Sequence, residues 1–322
     1  MINSIILKVR SDMYRHRLIT LLTGISLLAI SVVGAIPPTA IAAAAPAKAS
    51  EPVLSAPTPP SPTKTDRQTT GKTGLKGYPG ASATAKANSA LSGGVSPLSL
   101  TYLYAGASQS SLTETSVVVN VGVANPTLSA GDFHTLGEVA VTSADQQQVV
   151  EVGWTRDPNT FADSKPRLFV YHWVNGVPTC YNGCGWVAYS GASIAVGADL
   201  TSAVGTEKSF GIIYSGGNWW VLYNGGYIGY FPGTLWTSPT FTTINQVKLF
   251  GEVAANSAAP CTDMGNGNLA SSASATRFYS TTYSSGSGGV NLSTFNTNPS
   301  YYSAALVSPS VRTFRWGGPG AC

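Results

Sequence analysis

Residues 219–231 read WWVLYNGGYIGYF, and this run constrains the fold more than any other stretch. Trp219 to Tyr223 and Tyr227 to Phe231 are rich in aromatic and β-branched residues. Asn224-Gly225-Gly226 between them accepts positive φ, so the whole predicts a β-hairpin. Alternation places Trp219, Val221 and Tyr223 on one face and Trp220 and Leu222 on the other. Similar short runs recur at Leu98 to Tyr104, Ser116 to Val123, His134 to Val141, Arg167 to Trp173, Trp186 to Tyr189, Ile194 to Val196 and Phe210 to Tyr214. Gly, Asn and Pro punctuate them, and no long period of 3.6 follows the N-terminal region. The pattern predicts one all-β domain over residues 98–322, an antiparallel β-sandwich of jelly-roll type.

Two of the predicted strands carry a lone carboxylate. Glu151 lies in Val149-Val150-Glu151-Val152-Gly153-Trp154, and Glu252 in Val247-Lys248-Leu249-Phe250-Gly251-Glu252-Val253-Ala254. A strand packed on both faces offers no cheap place for a charge, so each glutamate needs a reason. Brought within a few ångströms, two carboxyls cannot both ionise readily and share a proton over part of the pH range. One can then take a proton from water while the other donates to a carbonyl oxygen or a leaving amine. Peptide hydrolysis of this kind needs neither metal nor covalent intermediate, so no cofactor is expected. From a glutamate reference near about 4.3, the singly protonated window falls on the acid side of neutral. No G-x-S-x-G, catalytic Cys/His signature or H-E-x-x-H competes.

Other residues carry weaker signals. Trp219, Trp220 and Tyr181 are candidate substrate contacts. Glu138 reads as a solvent-facing strand residue, and His134 and His172 as ordinary strand residues. Asp163 and Arg167 form a structural pair bracing the loop after Glu151. Two rival functions use the same architecture: a jelly-roll glycoside hydrolase with the same glutamates, and a non-catalytic carbohydrate- or surface-binding module.

The chain begins with a leader over residues 1–45. Lys8, Arg10, Arg15 and Arg17 precede an apolar run from Leu18 to Ile36, and a small-residue block over 40–45 offers signal-peptidase sites. The rest is expected to be secreted, touching the membrane only transiently through this segment; an uncleaved anchor is the alternative. Residues 46–97 are rich in Pro, Ala, Ser, Thr and Lys and predict a disordered tether or propeptide, with too little apolar surface to offset its ordering. That segment has six Lys/Arg against two Asp/Glu, whereas residues 98–322 have eight against eleven. The formal charge of +4 therefore belongs to the leader and tether, and is no argument for a nucleic-acid partner. Cys180, Cys184, Cys261 and Cys322 make an even set that reads as disulfides in an exported chain. Of three possible pairings, Cys180–Cys184 with Cys261–Cys322 is preferred, and the paired C-x2-C spacing of a zinc site is absent.

Residues 133–283 resemble the neprosin family of glutamic peptidases. The resemblance rests on Glu151-Val152-Gly153-Trp154, the Asp163 to Phe169 stretch (D-x3-R-L-F), and Cys180-Tyr181-Asn182 with Cys184-Gly185. It continues through Gly217-Asn218-Trp219-Trp220, Ile228-Gly229-Tyr230 with Pro232, Gly251-Glu252-Val253 and Met264-Gly265-x-Gly267. It implies that Glu151 and Glu252 are the catalytic pair of an endopeptidase acting on peptide or protein substrates, with cleavage after proline as the archetype's preference. The activation domain of plant members has no counterpart in residues 46–97. The charge asymmetry nevertheless suggests an intramolecular propeptide there, lying over the cleft near neutral pH through several weak, screened attractions and leaving on acidification. Pro59-Pro60, Pro62 and Pro79 would be its cleavage points for a proline-preferring enzyme; a plain spacer is the rival.

Overall fold

The computed structural model describes residues 50–77 and 100–322. The expected leader (1–45), Pro79 and the expected tether end at Pro97 lie outside the described residues. The strands are β1 (Arg67–Gln68), β2 (Thr101–Gln109), β3 (Ser116–Gly122), β4 (His134–Thr142), β5 (Val149–Arg156) and β6 (Arg167–Val174). They continue as β7 (Val177–Pro178), β8 (Val187–Ala188), β9 (Glu207–Ser215), β10 (Asn218–Tyr223), β11 (Gly226–Pro232) and β12 (Gln246–Ala255). The last four are β13 (Thr276–Tyr283), β14 (Ser293–Asn296), β15 (Ser303–Leu306) and β16 (Phe314–Gly317). One short helix, α1 (Pro158–Phe161), follows β5, and the Asp157 side chain caps it by accepting from the Thr160 amide.

Two antiparallel sheets form a sandwich. One has the order β14-β2-β12-β4-β5-β6-β7 and the other β1-β8-β11-β10-β9-β3-β13-β16-β15. The predicted hairpin is β10–β11, in the centre of its half of the second sheet. Ile194 to Val196 forms a loop rather than a strand, ending at Gly197 with φ of +84°. Both disulfides take the preferred pairing, with Cα atoms 5.8 Å apart for Cys180–Cys184 and 5.1 Å for Cys261–Cys322. The second closes a 61-residue loop around the C-terminus, worth about 4 kcal/mol in chain-entropy models.

Alternation assigns the faces. Val139 and Val141, Val150, Val152 and Trp154, and Val247, Leu249 and Val253 point between the sheets into the main core. The opposite face of the same three strands carries Leu136, Ala140, Val149, Phe250 and Ala254, which pack with Tyr102, Tyr104, Phe169, Tyr171, Trp173 and Tyr181 in a second cluster. Beneath it, Gly137 and Gly251 stand opposite one another in the β4–β12 register and receive the Trp316 ring. A Cβ on Gly251 would lie 2.2 Å from a Trp316 ring carbon. Gly251→Ala is therefore expected to force Trp316 out of place and lower stability by about 1–3 kcal/mol, read as a drop in denaturation midpoint.

Residues 50–77 correct the expectation of disorder: they belong to the same compact unit as the sandwich. The segment builds no core of its own; it borrows hydrogen-bond partners from the domain along its length. Its start is fixed by Arg312, whose guanidinium reaches the Glu51 carboxylate at 3.3 Å, and by the Leu54 amide donating to Thr282. Tyr227 donates its hydroxyl to Pro57 O at 2.6 Å, and Ala56 packs on the Trp220 cluster. The chain then adds β1 to the edge of β8, forms a two-way backbone bridge between Lys72 and Tyr181, and reaches the glutamate-bearing face at Lys76. This belt crosses from one sheet to the other.

Candidate active site

Glu151 on β5 and Glu252 on β12 flank the central strand β4 and project from the same face of the seven-stranded sheet. Register explains this: Glu151 is opposite Ala140, and Glu252 opposite Leu136, both outward-facing positions of β4. Glu138 lies between them on β4, directly opposite Gly153, whose missing side chain leaves room beside it. All three glutamates are fully buried, with 0% exposure. Glu138 is thus no solvent-facing residue. Its strand alternates as expected, but the face it shares with Glu151 and Glu252 is covered by aromatic side chains and by the belt.

The Lys76 ammonium, also 0% exposed, sits among these carboxyls. Its Nζ is 2.9 Å from Glu138 Oε1, 3.1 Å from Glu252 Oε2 and 3.5 Å from Glu151 Oε2. Glu151 Oε2 and Glu252 Oε2 therefore cannot be more than 6.6 Å apart, the sum of 3.1 and 3.5 Å. Such a gap admits a water or a peptide carbonyl. Glu252 Oε1 accepts from the Gly77 amide at 3.0 Å and lies 2.7 Å from His134 Nε2. Trp173 Nε1–H donates to Glu151 Oε1 at 3.1 Å. The Tyr102 and Tyr104 hydroxyls and Glu138 Oε2 are buried here without a hydrogen-bond partner among the described residues.

One cation cannot hold three carboxylates ionised in a dry site. Burial pushes Glu252 upward, but Lys76, His134 and the Gly77 N–H together overcome it and hold the carboxyl at about 2. Burial prevails at Glu151 against the pull of Lys76, with Glu252 adding to the rise, and lifts it to about 7. Burial and the neighbouring Glu151 raise Glu138 well above the carboxylate range. Burial lowers Lys76, yet the three glutamates outweigh it and keep it charged. The balanced arrangement is one ammonium, one carboxylate at Glu252 and carboxylic acids at the other two. One ionised and one protonated carboxyl across a narrow gap is the protonation pattern of a general base with a general acid.

Of the three predicted substrate contacts, only Tyr181 is on this face. It is buried edge-on against Phe161, Phe169 and Tyr171 and donates its hydroxyl to Leu75 O of the belt at 2.9 Å. Trp219 instead lies in the main core, its indole N–H on Phe241 O, and Trp220 lies on the outer face of the other sheet with Tyr227 and Tyr230. Aromatic density there signals core, not cleft. His172 faces inward against Phe231 and Trp236. His134, expected as an ordinary strand residue, is a direct partner of Glu252. Arg167 and Asp163 pair as expected, four residues apart at the loop between β5 and β6.

The model of the Neprosin family matches residues 132–319. Among solved structures, scytalido-glutamic peptidase with a transition-state-analogue inhibitor matches with a TM-score of 0.41 and 11% identity, over 68% of this chain and 99% of that one. SCP-B, a member of the eqolisin peptidases in complex with the tripeptide Ala-Ile-His, matches at 0.33 and 9% over the same shares, 68% and 99%. The Bacillus licheniformis β-glucanase matches at 0.30 and 10%, over 50% of this chain and 69% of that one. The family match spans more than half of the sequence: this chain belongs to the Neprosin family and is a peptidase of the glutamic type.

Proposed function

We propose that the protein is an exported endopeptidase that cleaves peptide bonds at acid pH, after proline, and is made as a latent precursor closed by residues 46–97. Glu252 is the general base and Glu151 the general acid. The observation that carries this reading is the peptide already lying on the site: Lys76 between the carboxyls and the Gly77 amide on Glu252. A surface that takes backbone N–H and bridges a passing strand at Tyr181 is suited to an extended peptide. Two disulfides and the leader support export.

Glu252 takes a proton from water as its oxygen attacks the scissile carbonyl, and Glu151 gives its proton to the carbonyl oxygen. In the collapse, Glu252 returns a proton to the leaving nitrogen while Glu151 recovers one from the diol, so both carboxyls end as they began. His134 keeps Glu252 the more acidic of the two after Lys76 has left. The pH sign of opening follows from the same geometry. Lys76 and the Gly77 N–H help hold the Glu252 carboxyl at about 2 in the closed form, so their departure raises its proton affinity. The open form takes up that proton as pH falls towards the ordinary glutamate range, and acid favours opening.

The test incubates the full chain at pH 4 and pH 7 with denatured protein and, separately, with polysaccharide, following products by mass. Peptides ending in proline, formed at pH 4 and not at pH 7, are expected; sugar products, or retention without products, would overturn the reading.

A further inference from the structure

Glu138 is a buried titratable group that a two-carboxyl mechanism leaves unused. It sits at the centre of the arrangement, on β4 between the strands of Glu151 and Glu252. Every element around it contributes a polar or charged group: Lys76 from the belt, Glu151 from β5, Glu252 from β12, His134 from its own strand, Tyr102 and Tyr104 from β2, and Tyr171 with Trp173 from β6. Its Oε1 makes the shortest of the three contacts to Lys76, 2.9 Å, while its Oε2 is buried without a partner among the described residues. Glu138 Oε1 and Glu252 Oε2 share that ammonium, so they are at most 6.0 Å apart, the sum of 2.9 and 3.1 Å. One water can bridge that span.

Resting on the proposed function, we infer that Glu138 is a third functional carboxyl: it receives Lys76 in the closed form and, once Lys76 leaves, holds a proton and positions the water at Glu252 as a neutral hydrogen-bond donor. Opening strips the lysine from Glu138 and leaves it between two other carboxyls, which favours its acid form. A carboxylic acid kept neutral can donate where a carboxylate cannot. Burial and Glu151 already raise its proton affinity while Lys76 is still present. As pH rises, its ionisation puts a second negative charge beside the developing oxyanion. Glu138 is therefore a positioning residue whose titration, coupled to that of the general acid Glu151, shapes the neutral limb of the activity profile.

The experiment uses the full chain, opened by acid incubation and checked by mass, with kcat and KM measured from pH 3 to pH 8. Glu138→Gln retains a donor but cannot ionise. Its kcat at pH 4 is expected to fall less than tenfold and its neutral limb to shift by at least half a pH unit as the coupling to Glu151 is lost, with KM within threefold. Glu138→Asp keeps the acid and shortens its reach; the limb should stay where the wild type's is while kcat at pH 4 falls at least tenfold. A Gln profile that superimposes on the wild type would overturn the inference, as would loss of all activity at every pH. An Asp variant equal to wild type would overturn it too, and keeps the test available if the Gln variant does not fold. Glu151→Gln and Glu252→Gln are run alongside. If they remain active, the two-carboxyl reading itself has failed; if they are dead and the Glu138 variants match wild type, only this inference has.

Discussion

Glu252→Gln is expected to lower kcat at pH 4 by about 10²–10⁴-fold, the range a positioned general base contributes. The amide keeps the shape of the side chain and can still accept from His134 and from a substrate N–H, but it cannot take a proton from water. The same substitution removes the ionised partner of Lys76 at 3.1 Å and of the Gly77 amide at 3.0 Å, so the belt should be held less firmly than in the wild type. The expected phenotype is thus an open site that does not turn over: accessible to an added substrate-like peptide inhibitor, inert as a peptidase. Glu151→Gln should be equally inert, because an amide has no proton to give to the carbonyl oxygen. The measurement is single-turnover hydrolysis after acid incubation, with inhibitor binding followed separately. Near-wild-type turnover in either variant would remove that residue from the pair.

Much of this arrangement was legible in the residues, because strand alternation is a strict code. A charge inside Val149 to Trp154 or Val247 to Ala254 has to face some environment, and a second carboxylate a hundred residues away supplies it. Glu138 carries the same signal, a glutamate in the apolar run His134 to Val141, but alternation alone cannot say whether the outer face of a sheet is covered. It is covered by Tyr102, Tyr104, Tyr171 and Trp173 and by residues 72–77, which come from distant parts of the chain. Trp219 and Trp220 failed as ligand contacts for a related reason. Aromatic residues on a hairpin pack in the nearest layer, and that layer is the sheet opposite the glutamates. His134 could have been found by register, two turns of the alternation before Glu138 on the same face. The belt could not. Its order comes from contacts such as Tyr227 to Pro57 and Tyr181 to Leu75, and neither partner's local sequence announces them. Strands β13 to β16 lie in Ser-, Thr- and Gly-rich sequence whose polar alternation is too weak to separate from loop.

Lys76→Met is expected to abolish latency. Methionine keeps an unbranched stem of comparable length against Phe250, whose ring lies 5.7 Å from Nζ, and removes only the charge. Breaking a buried charge pair by deleting one partner costs about 3–5 kcal/mol, so the closed population should fall by roughly two to four powers of ten. The full-length variant should then cleave added substrate without a lag at a pH where the wild type shows one. Lys72→Met is the control. It changes the net charge of the belt by the same amount, but Lys72 is exposed and its ammonium lies over the Phe161 ring at 5.8 Å, away from the carboxyls. If the belt were held by its overall charge, through several weak and screened attractions as the composition suggested, both variants would shorten the lag equally and added salt would mimic them. The geometry favours one buried lysine over many surface ones: Lys76 has three carboxyl oxygens within 3.5 Å and no exposed surface for salt to screen. The lag should therefore vanish in Lys76→Met, persist in Lys72→Met and change little with ionic strength. An unaltered lag in Lys76→Met would separate the belt from latency altogether and leave it a spacer that happens to cross the site.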